Sequence, residues 1–178
     1  MEFTQLLEMR RSVRAFDGTR SVTEDQLKQM VEAAIQAPSW KNSQTARYYA
    51  VLDGEKCAEF AARCLPAFNA KSSQGAALVV TSFVADRAGF DREGNPDNEI
   101  GNGWGCYDLG LHNMNFVLKA RELGLDTLIM GIRDAEAIRE MLSIPENETV
   151  AAVIAVGYAA GQSIKPRRKT AEDILKIY

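Results

Sequence analysis

The sequence predicts an α and β domain built on a sheet with helices on both faces. Three observations lead there. Residues 76–84 (AALVVTSFV) and 149–158 (TVAAVIAVGY) are nearly unbroken apolar runs of strand length, so each should be covered on both sides. Segments with helical spacing of apolar residues separate the strand candidates, and that alternation places helices against a sheet. The chain has 178 residues, the length of one ordinary domain, and is read as one over residues 1–178.

The elements follow in order. Residues 3–11 read as a short helix with Phe3, Leu6 and Leu7 on one face. Thr23 and Gln26 make a capping box, and Leu27, Met30, Val31, Ala34 and Ile35 then recur at helical spacing. Pro38 should end that helix near Gln36 or Ala37. Residues 47–52 (RYYAVL) are rich in β-formers and stop at the turn pair Asp53-Gly54. Residues 55–68 read as one helix with Ala58, Ala61, Cys64, Leu65 and Phe68 inward. After the strand at 76–84, residues 85–103 form a long glycine-bearing loop, a length usually tied to function such as a lid or dimer arm. Residues 104–123 are the longest helix, with Tyr107, Leu111, Met114, Val117, Leu118 and Arg121 as its stripe and Gly124 as the residue that ends it. A short strand spans 126–130. Asp134 caps a helix holding Ile138, Met141 and Leu142, which Pro145 closes. The strand at 149–158 follows, and then a tail carrying Ile174, Leu175, Ile177 and Tyr178.

Composition narrows the chemistry. Lys and Arg number 21 against 24 Asp and Glu, a net charge of −3 that argues against general nucleic-acid binding. The apolar runs are too short for a membrane span, and the mixed charges of MEFTQLLEMRR do not make a signal peptide. A cytoplasmic protein is the expectation. Cys57, Cys64 and Cys106 form no C-x-x-C pair, and the single histidine, His112, has no Cys or His nearby for a zinc site. No G-x-S-x-G elbow is present to hold a nucleophilic serine. Gly101, Gly103 and Gly105 are spaced G-x-G-x-G and follow a loop, which does not fit a dinucleotide fingerprint. An organic cofactor is therefore the expected carrier of any redox chemistry.

Three segments concentrate binding groups. Arg10, Arg11 and Arg14, with Ser12 between them, and Lys165, Arg167, Arg168 and Lys169 are basic clusters in an acidic chain. Guanidinium forks match phosphate oxygens, although most charge runs are solvated faces. The connector 37–44 (APSWKNSQ) carries amides, hydroxyls and an indole; it suits the edge of a heteroaromatic ring, or is an ordinary turn.

Six segments in order carry a resemblance: RRSVRAF at 10–16, APSWKNSQ at 37–44, GWGCYDLGLHNMNFVLKARELGL at 103–125, LIMG at 128–131, AVIAVGYA at 152–159 and KPRRKTAEDI at 165–174. Over essentially its whole length the chain resembles a short member of the FMN-dependent nitroreductase family. The resemblance implies an α+β fold with a mixed sheet flanked by helices. It also implies an intertwined homodimer with exchanged C-terminal tails and FMN at the subunit interface.

Carried over by position, the resemblance makes Arg10, Arg11, Ser12 and Arg14 contacts to the FMN phosphate, ribityl chain and pyrimidine edge. Pro38, Ser39, Trp40, Asn42 and Gln44 would approach from the partner subunit. Asn69, Ile129, Met130 and Gly131 would lie by the ring, and Arg168 and Lys169 would close on the phosphate. The implied chemistry is hydride transfer from NADH or NADPH through flavin N5 to a nitroaromatic, quinone or similar small acceptor by a ping-pong scheme. Many relatives have Gln-Pro-Trp where this chain has Gln44-Thr45-Ala46, and some larger ones have a glutamate at the place of Met130. These departures leave two alternatives: a flavin dehydrogenase without NAD(P)H turnover, and a non-enzymatic flavin-binding protein. The family's longer members cover the flavin with an insertion that this chain lacks, so residues 85–103 are the expected cover.

Overall fold

Four strands form the centre of the molecule, a computed structural model that describes residues 2–178. They are β1 (Ala46–Val51), β2 (Ala77–Val84), β3 (Asp126–Met130) and β4 (Glu148–Gly157), arranged in the order β1-β2-β4-β3. Every strand pairing is antiparallel, so the expected mixed sheet is not present within the chain. Among the described residues, the one parallel contact is an isolated bridge from Ser12 to Thr127 on the outer side of β3. The two inner strands are the two apolar runs, which have neighbours on both edges and helices on both faces.

Each face has its own core. On one side α2 (Glu24–Ala34) and α5 (Gly103–Glu122) pack Leu27, Met30, Phe116, Val117 and Ala120 on Val79, Ile154 and Val156. On the other, α3 (Gly54–Cys64) and α6 (Ala135–Leu142) pack Cys57, Phe60, Cys64 and Ile138 on Leu78, Val80, Leu128 and Val153. The alternation of neighbouring strand residues between the two cores follows from the two-residue period of a strand. The caps behave as read: Thr23 and Gln26 form a reciprocal capping box, and Asp134 accepts the Ala137 N–H. At the end of α5, Gly124 takes φ +79, with Leu125 N–H bonded to Ala120 O and Gly124 N–H to Arg121 O. That pair of bonds needs a left-handed residue, which glycine supplies without a Cβ clash.

The readings of three helices are also corrected. The segment 55–68 is two helices, α3 and α4 (Ala67–Ser72), because Pro66 forces Leu65 into an extended conformation at φ −120, ψ 145. Its inward face is Cys57, Phe60 and Cys64, whereas Ala58 and Phe68 are exposed. In α5 the buried residues are Asp108, Leu109, His112, Asn113, Phe116, Val117, Leu118 and Ala120, while Tyr107 and Met114 of the expected stripe face outward. In α1 (Phe3–Met9) only Leu6 is buried; Phe3 and Leu7 are exposed. A last short helix, α7 (Ala171–Ile174), lies in the tail.

Candidate functional site

Val13 and Phe16 anchor the first basic cluster by inserting into the core under α3 and α6. The backbone alongside is stitched to the sheet: Val13 N–H bonds Thr127 O at 3.0 Å and Asp17 N–H bonds Tyr158 O at 2.8 Å. This leaves Arg10, Arg11 and Arg14 outside the core, beside the β3 edge. Arg10 is partly buried at the end of α1, and its N–H closes the helix onto Leu6 O at 2.9 Å. Burial first, and then the like charges of Arg168 and Arg11, hold the Arg10 guanidinium below its ordinary range. Arg168, from the other end of the chain, thus lies within electrostatic reach of Arg10. Among the described residues, none of Arg10, Arg11, Arg14, Lys165, Arg167, Arg168 and Lys169 forms an ion pair with a carboxylate.

At the far end of β3 the Met130 side chain is buried in the core, so the outside is offered only its backbone. Ile129, on the opposite face of the strand, is 50% exposed, and Gly131 follows in the open. Asn69 reaches this corner from α4: it is buried, and its Nδ2 donates to Ile132 O at 2.9 Å. Asn69 therefore ties α4 to the chain leaving β3, a positional role that the sequence does not reveal.

The connector 37–44 occupies another place, against the first turns of α5. Trp40 to Asn42 form a single 3-10 turn, and Lys41, Asn42 and Gln44 hold φ of 47, 55 and 49. Left-handed residues other than glycine are uncommon and persist where neighbours over-determine them. Gln44 N–H bonds Ser39 Oγ at 3.1 Å, Lys41 pairs with Asp97 at 2.7 Å, and the Trp40 and Trp104 rings meet with centroids 4.5 Å apart. Pro38, Ser39, Trp40, Asn42 and Gln44 are thus together, but no hydrogen bond or ion pair among the described residues links them to the Arg10–Arg14 cluster. A groove of about 1030 Å³ opens beside them, lined by Trp40, Lys41 and Arg47 on one side and Arg87, Phe90 and Arg92 of the long loop on the other.

The family model described as the Nitroreductase family matches residues 7–158. The chain belongs to the nitroreductase family. A Bacillus subtilis (strain 168) relative, provisionally named NAD(P)H nitroreductase MhqN, is 27% identical over 191 aligned residues, with 93% of each chain covered. The nitroreductase family protein from Streptococcus pneumoniae TIGR4 shares the fold at TM-score 0.83 and 20% identity, over 99% of this chain and all of that one. A provisionally named nitroreductase from Exiguobacterium sibiricum 255-15, solved in complex with FMN, superposes at TM-score 0.87 and 21% identity, covering 100% and 98% of the two chains. Among the described residues, no helix is long and apolar enough to cross a membrane.

Sequence reasoning gave His112 a packing or hydrogen-bonding role but did not find the buried polar residues that accompany it on α5. Asp108, His112 and Asn113 are all buried on α5, and Asp108 Oδ2 accepts the Trp40 N–H at 2.8 Å. Asn113 Nδ2 donates to Thr81 Oγ1 at 3.3 Å. Around them, Trp40 Nε1, Ser43 Oγ, Thr45 Oγ1, Tyr48 OH, His112 Nδ1 and Asn113 Oδ1 are buried without a partner. Burial holds the His112 imidazole below its ordinary pKa, with Asp108 opposing that shift in part. The available signal was the i, i+4, i+5 grouping of 108, 112 and 113 on a helix whose other face is also apolar.

Proposed function

We propose that the protein is an FMN-dependent NAD(P)H oxidoreductase acting as a homodimer on a small electron acceptor such as a nitroaromatic or quinone. One observation carries the reading. Arg10, Arg11 and Arg168 converge from the two ends of the chain, with no carboxylate paired to any of them among the described residues. Like charges brought together and partly desolvated are unfavourable until an anion joins them. A phosphate dianion fits that place, since guanidinium forks bind its oxygens in pairs.

FMN, when bound, supplies a ring that takes up a hydride equivalent and passes it on. The chain's own residues bind and orient it. Arg10, Arg11, Arg168 and Lys169 hold the phosphate end, and Ser12 adds a hydroxyl donor. Arg14 is assigned to the pyrimidine edge, where a cation favours the negative charge that develops on reduction. Asn69, through the Ile132 carbonyl, fixes the corner where Ile129 and Gly131 flank the ring; Met130 contributes backbone only. Pro38, Ser39, Trp40, Asn42 and Gln44 close over the ring from the partner subunit. The groove between Trp40 and Arg92 is the open space next to that connector for the nicotinamide and the acceptor.

Reconstitution with FMN tests the reading. The wild-type protein should bind FMN and oxidise NADH or NADPH in the presence of a quinone. Arg10→Ala and Arg168→Ala should each weaken FMN by about 1.5–3 kcal/mol, the range for hydrogen bonds to charged groups. Because both hold one anion, their effects should not add. Unaltered FMN affinity in both variants contradicts the assignment.

A further inference from the structure

The connector that the proposed function places over the partner's ring is strained, and something must hold it. Three of its residues, Lys41, Asn42 and Gln44, are left-handed without being glycine. Its own internal bonds, Asn42 N–H to Ser39 O, Ser43 N–H to Trp40 O and Gln44 N–H to Ser39 Oγ, shape the turn but do not attach it to the body of the molecule. Lys41 ties it to Asp97, which lies in the long loop. Among the described residues, one hydrogen bond reaches the connector from α5: the Trp40 N–H to the carboxylate of Asp108, at 2.8 Å.

Asp108 is 3% exposed and forms no ion pair among the described residues. Burying a polar group costs free energy unless it is hydrogen-bonded. Replacing it with a neutral apolar residue would relieve that cost and keep the helix. Its neighbours point to the same place. His112 lies one helical turn along, and His112 Nδ1, Asn113 Oδ1 and Thr45 Oγ1 are buried polar atoms of nine-tenths buried residues with no partner in the protein. Buried polar side chains thus continue along α5 from the residue that meets the connector, although an apolar layer would pack there at lower cost.

We propose that Asp108 is a positioning residue: by accepting the Trp40 N–H it sets the conformation of residues 39–44, and through them the fit of the flavin and acceptor site. The inference rests on the proposed function for its consequence, and on the Trp40–Asp108 bond alone for its local part. It requires an acceptor oxygen at position 108, which asparagine also provides through its side-chain carbonyl.

Two readouts on Asp108→Ala and Asp108→Asn test it. The first needs no flavin: trypsin cleavage after Lys41, an exposed residue of the connector. Asp108→Ala should be cut there at least tenfold faster than wild type under conditions where both are folded by circular dichroism, and Asp108→Asn should stay within threefold. The second is FMN affinity, which should fall at least tenfold in Asp108→Ala and be restored to within threefold in Asp108→Asn. A folded Asp108→Ala protein within twofold of wild type in both readouts overturns the proposal. Equal losses in the Ala and Asn variants also overturn it, because the acceptor oxygen would then not be what matters. If Asp108→Ala does not fold, amide hydrogen exchange on the wild-type protein decides. The Trp40 amide should exchange at least a hundredfold more slowly than an unstructured amide, and exchange at the unstructured rate overturns the assignment. A wild-type protein that takes up no FMN defeats the proposed function while leaving the cleavage test of Asp108 in force.

Discussion

His112 is the only histidine in the chain and one of its most buried polar residues. Burial lowers its pKa in the folded protein, so the unfolded chain takes up a proton first as the pH falls. Stability is therefore full above the unfolded value of about 6.5 and declines as the pH falls from there toward the depressed folded value. His112→Gln should remove that decline, seen as a flatter dependence of the urea midpoint on pH between neutral and mildly acid conditions. A variant as acid-sensitive in this window as wild type would place the titration elsewhere. Because the proposed function gives the hydride chemistry to the cofactor, His112→Gln should also leave flavin reduction within about tenfold, or ~1.4 kcal/mol, in stopped-flow measurements on FMN-saturated protein. At this scale the sequence was partly legible. The two arginine-rich clusters and the connector stood out by composition, but their grouping came from resemblance. Nothing in spacing alone joins Arg10 to Arg168, because the tail's path depends on the fold.

Helix α5 shows what one element can hide. It is apolar on two faces, so the stripe through Tyr107, Leu111 and Met114 reads as inward although the fold buries Leu109, Phe116 and Ala120 instead. Of the polar residues on its buried side, Asp108 meets the connector and Asn113 meets Thr81 of β2, partners that helical spacing does not disclose. The break between α3 and α4 was legible in Pro66, whose effect on Leu65 outweighs the continuing helical pattern. Gly105 also has a packing explanation rather than a phosphate-binding one. A Cβ at that position would run into the buried Phe83 ring of β2, so the glycine lets α5 lie close on the sheet. Gly105→Ala should cost about 1–3 kcal/mol by overpacking, less up to about 1 kcal/mol for the better helix former. Urea unfolding measures it, and a variant as stable as wild type would show that Phe83 moves aside freely.

Taken whole, the molecule leaves much apolar surface uncovered. Phe3 of α1, Tyr107 and Met114 of α5, and Ile174, Leu175, Ile177 and Tyr178 of the tail are all exposed. Large apolar side chains are costly to leave exposed where they gather into a patch, and the proposed homodimer would bury them. Truncation after Lys169 should lower the unfolding midpoint and weaken FMN at least tenfold, with sedimentation showing loss of dimer at micromolar concentration. A truncated chain that stays dimeric and yellow would remove the tail from the interface. The combination of helices and a sheet was legible, and so were the two inner strands, because long apolar runs have few alternatives; β1 was marked by its β-formers. The antiparallel pairing of every strand was not, since strand direction depends on the connections and not on the run itself.

The most direct test of the proposed function is the visible spectrum of FMN-reconstituted protein, recorded anaerobically before and after NADH or NADPH is added. The protein should be yellow, lose its flavin absorption on adding one of the two donors, and regain it when a quinone or nitroaromatic is supplied. A chain that stays colourless after incubation with FMN, or a yellow protein whose spectrum neither donor changes, would contradict it.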